Sequence, residues 1–320
     1  MRILNFIILI ALLFTGCLEK KEPIDTLRLG STVWPGYEPL YLGQEKEIID
    51  NKNIHLVQYI SSSQTLRAFR NGQIDAAALT LYDALLLLNE GINVKVILVL
   101  DISNGGDVII SQKGLTKFEA LKGKTVGLEN STMGLHVLSR ALTINNMRIE
   151  DIKIKKYEGY EHEKAFEERS VDAIVTYEPM RSVMLNSGAH ELFSSKQMPD
   201  EIIDVLIVRE EYLSKHPKQI KNLITNWYKT LKFYEDYPIE SDKFFAKRLK
   251  LNQKDVKETF ETIILPTISE NFDFLNTENA QLLKISEDIE QLMLNNKQVE
   301  DKADVGALLD YDLSLIYDIK

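Results

Sequence analysis

The chain has 320 residues, 44% of them hydrophobic and 27% charged, enough apolar material for two ordinary domain cores and too much for wholesale disorder. Its formal net charge of -10, with Lys and Arg scattered among the acids, excludes a general nucleic-acid binder, since phosphate neutralisation needs clustered cations. Cys17 is the only cysteine, which also excludes an intrachain disulfide, a thiolate metal site and a Cys nucleophile in the folded body.

In chain order, the N-terminal stretch MRILNFIILIALLFTGC joins one positive charge to an apolar run from Ile3 to Phe14. That run is shorter than the roughly 18 to 20 residues a spanning helix needs, so it reads as a secretory signal. Phe14-Thr15-Gly16-Cys17 resembles a lipobox, with Phe14 where Leu is commonest. A signal peptidase would cut before Cys17 and the thiol would be acylated, anchoring the chain to an extracytoplasmic membrane face. Residues 1–17 are thus expected to be a lipoprotein signal peptide, and the charged segment 18–26 a tether.

The folded body opens with LRLGSTVWPGYEPLYLG, residues 27–43. A short alternating run reaches Gly30, Ser31-Thr32 interrupt it, and Trp34-Pro35-Gly36 lead into a segment of helical character. Open α/β proteins bind ligands where such a strand ends and a helix begins. Trp34 and Tyr37 either stand at that mouth or serve as a core anchor beside a plain turn. Residues 44–50 then read as a helix, 54–60 as a strand, 63–71 as a helix and 74–79 as a buried strand closing at Thr80. A helix at 83–90 and an almost wholly apolar strand at 94–100 follow, and this rhythm predicts a parallel sheet. Residues 101–107 (DISNGGD) read as a loop where the chain crosses between halves, with Gly105-Gly106 as a hinge. Asp101 and Asn104 are there either as turn formers or as cleft-facing groups.

The pattern then recurs. Ala68-Phe69 and Ile74-Asp75-Ala76 are echoed 97 residues later by Ala165-Phe166 and Val171-Asp172-Ala173, and Gly30 maps at the same offset onto Gly127. Two lobes of similar topology, facing each other across a cleft, are the physical reading. Residues 27–106 with 205–320 are expected to form the first lobe and 107–204 the second. The mostly helical C-terminal part, with helices at 220–236 and 280–294, is expected to wrap the first lobe and bury Trp227.

In the second lobe, Ser131 or Thr132 opens a helix after the strand TVGL. Their hydroxyls are either N-caps or part of an anion site favoured by the helix dipole. Tyr177-Glu178-Pro179 closes another strand, leaving Glu178 as a helix-dipole partner or as an acid for a ligand amine or hydroxyl. No pair of the five His residues has metal-ligand spacing, and neither a nucleophile elbow nor a phosphate-cradling Gly-rich loop occurs.

WPGYEPLYLG, GQIDAAALT, DISNGGD, LKGKTVGLENSTMG, VDAIVTYEP and LFSSKQMPDEIIDVLIV together resemble the nitrate/sulfonate/taurine type of ABC-transporter substrate-binding proteins, the NMT1/SsuA-like group, over residues 27–216. The resemblance implies an α/β type II periplasmic-binding fold with two crossover segments and no cofactor. It implies a monomer that captures one small ligand by lobe closure and delivers it to a permease. It places ligand contacts on Trp34, Tyr37, Thr80, Asp101, Asn104, Ser131, Thr132, Tyr177 and Glu178. A sensing partner of a membrane receptor would keep the same cleft, and an enzyme of pyrimidine-precursor synthesis on this fold would need cysteines the body lacks. The loops that bear these nine contacts carry no Lys or Arg beside them, which disfavours a bare inorganic anion. An organic ligand is expected instead, its anionic end on neutral donors and a cationic or hydroxyl-bearing end near Glu178 and Asp101.

Overall fold

The computed structural model describes residues 25–129, 131–278 and 281–317; Cys17, the apolar leader and residues 18–24 of the tether lie outside them. The strands are β1 (Leu27–Ser31), β2 (Ile54–Gln58), β3 (Ala76–Thr80), β4 (Val94–Ser103), β5 (Asp107–Ser111), β6 (Thr125–Glu129), β7 (Lys153–Tyr157), β8 (Ala173–Tyr177), β9 (His190–Ser194), β10 (Ile203–Arg209) and β11 (Ile263–Ile264). They form two sheets, ordered β11-β4-β10-β3-β1-β2 and β7-β6-β8-β5-β9. The chain crosses from the first sheet to the second between Ser103 and Asp107, and returns between Ser194 and Ile203.

The sheets are mixed, where the strand and helix rhythm predicted a parallel one. β1 runs parallel to β2 and β3, and β6 parallel to β7 and β8. The strand that arrives from the other lobe is inserted antiparallel: β10 between β3 and β4, β5 between β8 and β9. Apolar runs such as DVLIV record burial and carry no sign of direction, so the insertion leaves no local trace. Two boundaries also differ. The helix expected at 44–50 occupies Glu38–Glu45, started by Pro39 in its first turn, and a turn with Glu47 at φ 56° follows. Within the loop expected at 101–107, Asp101 to Ser103 continue β4, so only Asn104 to Gly106 are left to turn.

The offset of 97 is a structural repeat. Leu29 and Gly30 lie opposite Ala76 and Ala77, and Val126 and Gly127 opposite Ala173 and Ile174. The Asp75 carboxylate accepts from the Arg28 N–H at 3.1 Å, as Asp172 accepts from Thr125 at 2.8 Å. Each of these aspartates clamps the start of the neighbouring strand.

All ten residues of β4 are buried, including Lys95, whose ammonium donates to the Ala307 carbonyl at 2.8 Å. The helix Pro217–Asp236 packs on Glu38–Glu45 and buries Trp227 completely; Ile268–Leu275 packs on β4. Beside a register shift between β4 and β10, the Asn271 amide accepts from Val99 N–H at 2.7 Å and donates to Val99 C=O at 2.8 Å. The C-terminal helices also touch the second lobe: Asn186 donates to Asp255 at 2.7 Å, and the Ser182 and Thr259 hydroxyls meet at 3.2 Å.

Candidate functional site

The carboxyl ends of β1, β3, β6 and β8 face one another across a partly open cavity of about 50 Å³. Ten of the residues around it pair at the 97-residue offset: Thr32 with Glu129, Trp34 with Ser131, Tyr37 with Gly134, Thr80 with Tyr177 and Asp107 with Asp204. The last pair sits on the exchanged strands, Asp204 opposite Thr80 and Asp107 opposite Tyr177. Asp83 and Ser62 complete the first lobe's side, while Met133, Val137 and Val175 supply an apolar wall from the second.

Trp34 is 5% exposed and its indole N–H is shared by both Asp101 carboxylate oxygens, at 3.0 and 3.1 Å. Two glycines make room for this arrangement. A Cβ on Gly36 would lie 1.8 Å from Asp101 Oδ2, and one on Gly106 would lie 2.7 Å from the indole. Across the cleft Tyr177 meets Trp34 edge-on at 6.2 Å, and its other side faces His162 at 6.0 Å. The lobes touch at the rim as well, where Ser61 and Ser63 donate to Glu158 at 3.2 and 2.8 Å.

The electrostatics are one-sided. Asp83, Asp107, Glu129 and Asp204 line the cavity, Asp101 lies behind Trp34, and no Lys, Arg or His lines it among the described residues. Burial pushes Asp83 and Asp107 up to about 6 and Glu129 up to about 7. Asp101 is pushed up to about 8, mainly by burial, and Asp204 is also raised well above its ordinary value, by burial and by repulsion from Asp101 and Asp107. The Tyr37 and Tyr177 hydroxyls are likewise raised, by burial and then by the acids beside them.

Of the residues picked out in the sequence, Trp34, Tyr37, Thr80, Ser131 and Tyr177 line the cavity. Thr80 and Ser131 also cap helices, accepting from Asp83 N–H and Gly134 N–H at 3.1 Å each. Thr132 begins the helix Thr132–Ile144, and its side chain lies outside what the structure describes. Asp101 acts through Trp34. Glu178 and Asn104 are placed away from the lining. The Glu178 carboxylate turns into its own helix, accepting from Arg181 at 3.0 Å and from Ser182 N–H and O–H at 3.1 Å. Asn104 is tied by its N–H to the Thr262 carbonyl at 2.8 Å. Sequence reasoning missed Asp83, Asp107, Glu129 and Asp204. The signal was present, because the repeat offset pairs Asp107 with Asp204 and Glu129 with Thr32.

Two sheets with one strand exchanged in each, and a cavity shared by the strand ends, define the type II periplasmic-binding fold. Residues 20–249 match the NMT1-like family, to which the chain belongs. It resembles the alkanesulfonate-binding protein SsuA from Xanthomonas axonopodis pv. citri bound to MOPS, with a TM-score of 0.76 at 17% identity, covering 90% of this chain and 98% of that one. The periplasmic aliphatic sulphonate binding protein SsuA from Escherichia coli superposes with a TM-score of 0.72 at 18% identity, covering 89% and 97%. In sequence, 155 residues are 26% identical to a protein named as a binding protein from Brucella abortus, 47% of this chain and 49% of that one. The chain spans about half the length of the curated relatives it matches.

Proposed function

We propose that this protein is an extracytoplasmic solute-binding protein of an ABC import system that captures a small organic molecule between its lobes and performs no bond-making. The observation that carries the reading is the cavity itself, walled by matched residues from the two lobes and bridged at its rim by Ser61, Ser63 and Glu158. A ligand held there touches both lobes and so favours the closed form, while access requires the lobes to part about the crossings at 104–106 and 195–202. Delivery to a permease follows from that cycle, with the protein acting as a monomer held to the membrane by acylated Cys17.

A thermal-shift screen of amines, amino acids, pyrimidines, sulfonates and oxyanions, followed by small-angle scattering with each hit, tests this. At least one solute raises the melting temperature, reduces the radius of gyration and is recovered chemically unchanged. Failure of every solute to do the first two, or recovery of a converted product, rejects the reading. Mass analysis of the N-terminal peptide tests the anchor: a diacylglyceryl group on Cys17 is expected, and an unmodified Cys17 on the membrane-associated protein rejects it.

A further inference from the structure

Resting on that reading of the cleft, we infer that its ligand is an organic cation: a small molecule with a protonated nitrogen on an apolar body, and not a sulfonate or other anion. The geometry shows it in how this chain treats buried acids. Outside the cavity, buried Glu38 is paired with Arg248, and buried Glu178 with Arg181 at 3.0 Å. Inside it, Glu129 and Asp204, only 5% and 4% exposed, have no cation: Glu129 has the Tyr177 hydroxyl beside it and Asp204 the Tyr37 hydroxyl and the Asp101 carboxyl, and Glu129 Oε1 and Asp204 Oδ1 lack a well-formed hydrogen bond. Such a carboxyl ionises only when a cationic donor is brought to it and otherwise keeps its proton, so the site is poised to take one up.

Outside the cavity, buried acids are met by arginine, as at Glu38 and Glu178, or by amide and backbone N–H donors, as at Asp255 and Glu290; around the cavity the described residues supply no arginine or lysine. The two unpartnered oxygens come from opposite lobes, Glu129 at the end of β6 and Asp204 at the start of β10. A cationic ligand in this cavity therefore finds acids on both walls, and contact with both lobes favours the closed form.

The rest of the lining suits the rest of such a molecule. Trp34 and Tyr177 offer aromatic faces, to which a desolvated cation is attracted, and Val137, Val175 and Met133 cover an apolar body. The helix start at Ser131 does not oppose this with an anion site. The Ser131 hydroxyl is already engaged by Gly134 N–H, and Glu129, two residues ahead of it, disfavours an anion at this wall of the cavity.

The test is calorimetry and scattering on the full chain with matched probes: butylamine, 1-butanol and 1-butanesulfonate; benzylamine, benzyl alcohol and benzenesulfonate; and a wider set of diamines, amidines and aminomethyl heteroaromatics with their neutral and anionic counterparts. The amines or amidines are expected to bind with compaction, at least about tenfold tighter than their isosteres, the scale of one charge-assisted hydrogen bond. In Glu129→Gln and Asp204→Asn, cation affinity is expected to fall by about tenfold or more, with little change for the neutral isostere. Circular dichroism checks that both variants fold. A sulfonate that binds tighter than its amine and compacts the protein overturns this inference and leaves the solute-binding reading standing. So does a cation whose affinity neither variant alters. If no probe of any charge binds or compacts the protein, the solute-binding reading falls and the inference with it.

Discussion

Trp34 holds three features together: its N–H satisfies Asp101, its ring meets Tyr177 across the cleft, and its far edge fills the space left by Gly106. Trp34→Ala is therefore expected to weaken ligand binding by about 2 kcal/mol or more, on the scale of aromatic burial, as measured by calorimetry with any solute found to bind. The cavity acids give a second prediction at this scale. Asp101 at about 8 and Glu129 at about 7 lie above their unfolded values of 3.8 and 4.5, so the folded chain holds more protons than the unfolded one. Stability from such groups is present at low pH and is lost as pH rises toward the folded pKa. His136 and His162, depressed by burial, act in the opposite direction, but only below their ordinary 6.5. The melting temperature of the ligand-free protein is thus expected to fall between pH 6.5 and 8, which differential scanning calorimetry checks. Asp204→Asn should flatten the fall, because it removes one of the two strongly interacting carboxylates.

Among the elements, β4 and its neighbours were the most legible. A continuous apolar run such as VKVILVL can be satisfied only where both faces are covered. The direction of β10 and β5 was not legible, because it depends on which lobe the chain arrives from. For the same reason the cavity acids escaped notice: whether Asp107 or Glu129 points inward is set by strand pairing and pleat, which composition does not record. Glu178 failed differently, since a local helix start captured its carboxylate before the cleft could use it. The element most dependent on a single polar side chain is β4 at its register shift, where Asn271 alone satisfies both backbone groups of Val99. Asn271→Ala leaves a buried N–H and C=O without that partner. It is expected to destabilise the fold by about 1–3 kcal/mol, read as a lower urea midpoint with unchanged slope.

For the whole molecule, the balance between open and closed forms is set partly by contacts that no ligand touches. Glu158, at the rim, accepts from Ser61 and Ser63 of the opposite lobe. Glu158→Ala removes that latch without entering the cavity. The expected result is a larger radius of gyration for the ligand-free protein and an apparent affinity weakened by about two- to tenfold, the worth of one or two net hydrogen bonds. An unchanged radius together with unchanged affinity would show that the rim contacts do not hold the lobes shut. The repeated pattern of strand, glycine and helix was enough to find two lobes and their facing edges, while the chemistry between them became visible only once Asp107 and Asp204 were seen to occupy equivalent places.

The distribution of the two tryptophans gives the molecule a built-in optical gauge. Trp227 is sealed inside the helical wrapping of the first lobe, whereas Trp34 stands where the lobes meet. Any change in indole emission colour or quenching by iodide that accompanies an added solute therefore comes from the mouth of the cleft, above a constant background, and the opening and shutting of the protein can be followed in a cuvette without attaching a dye.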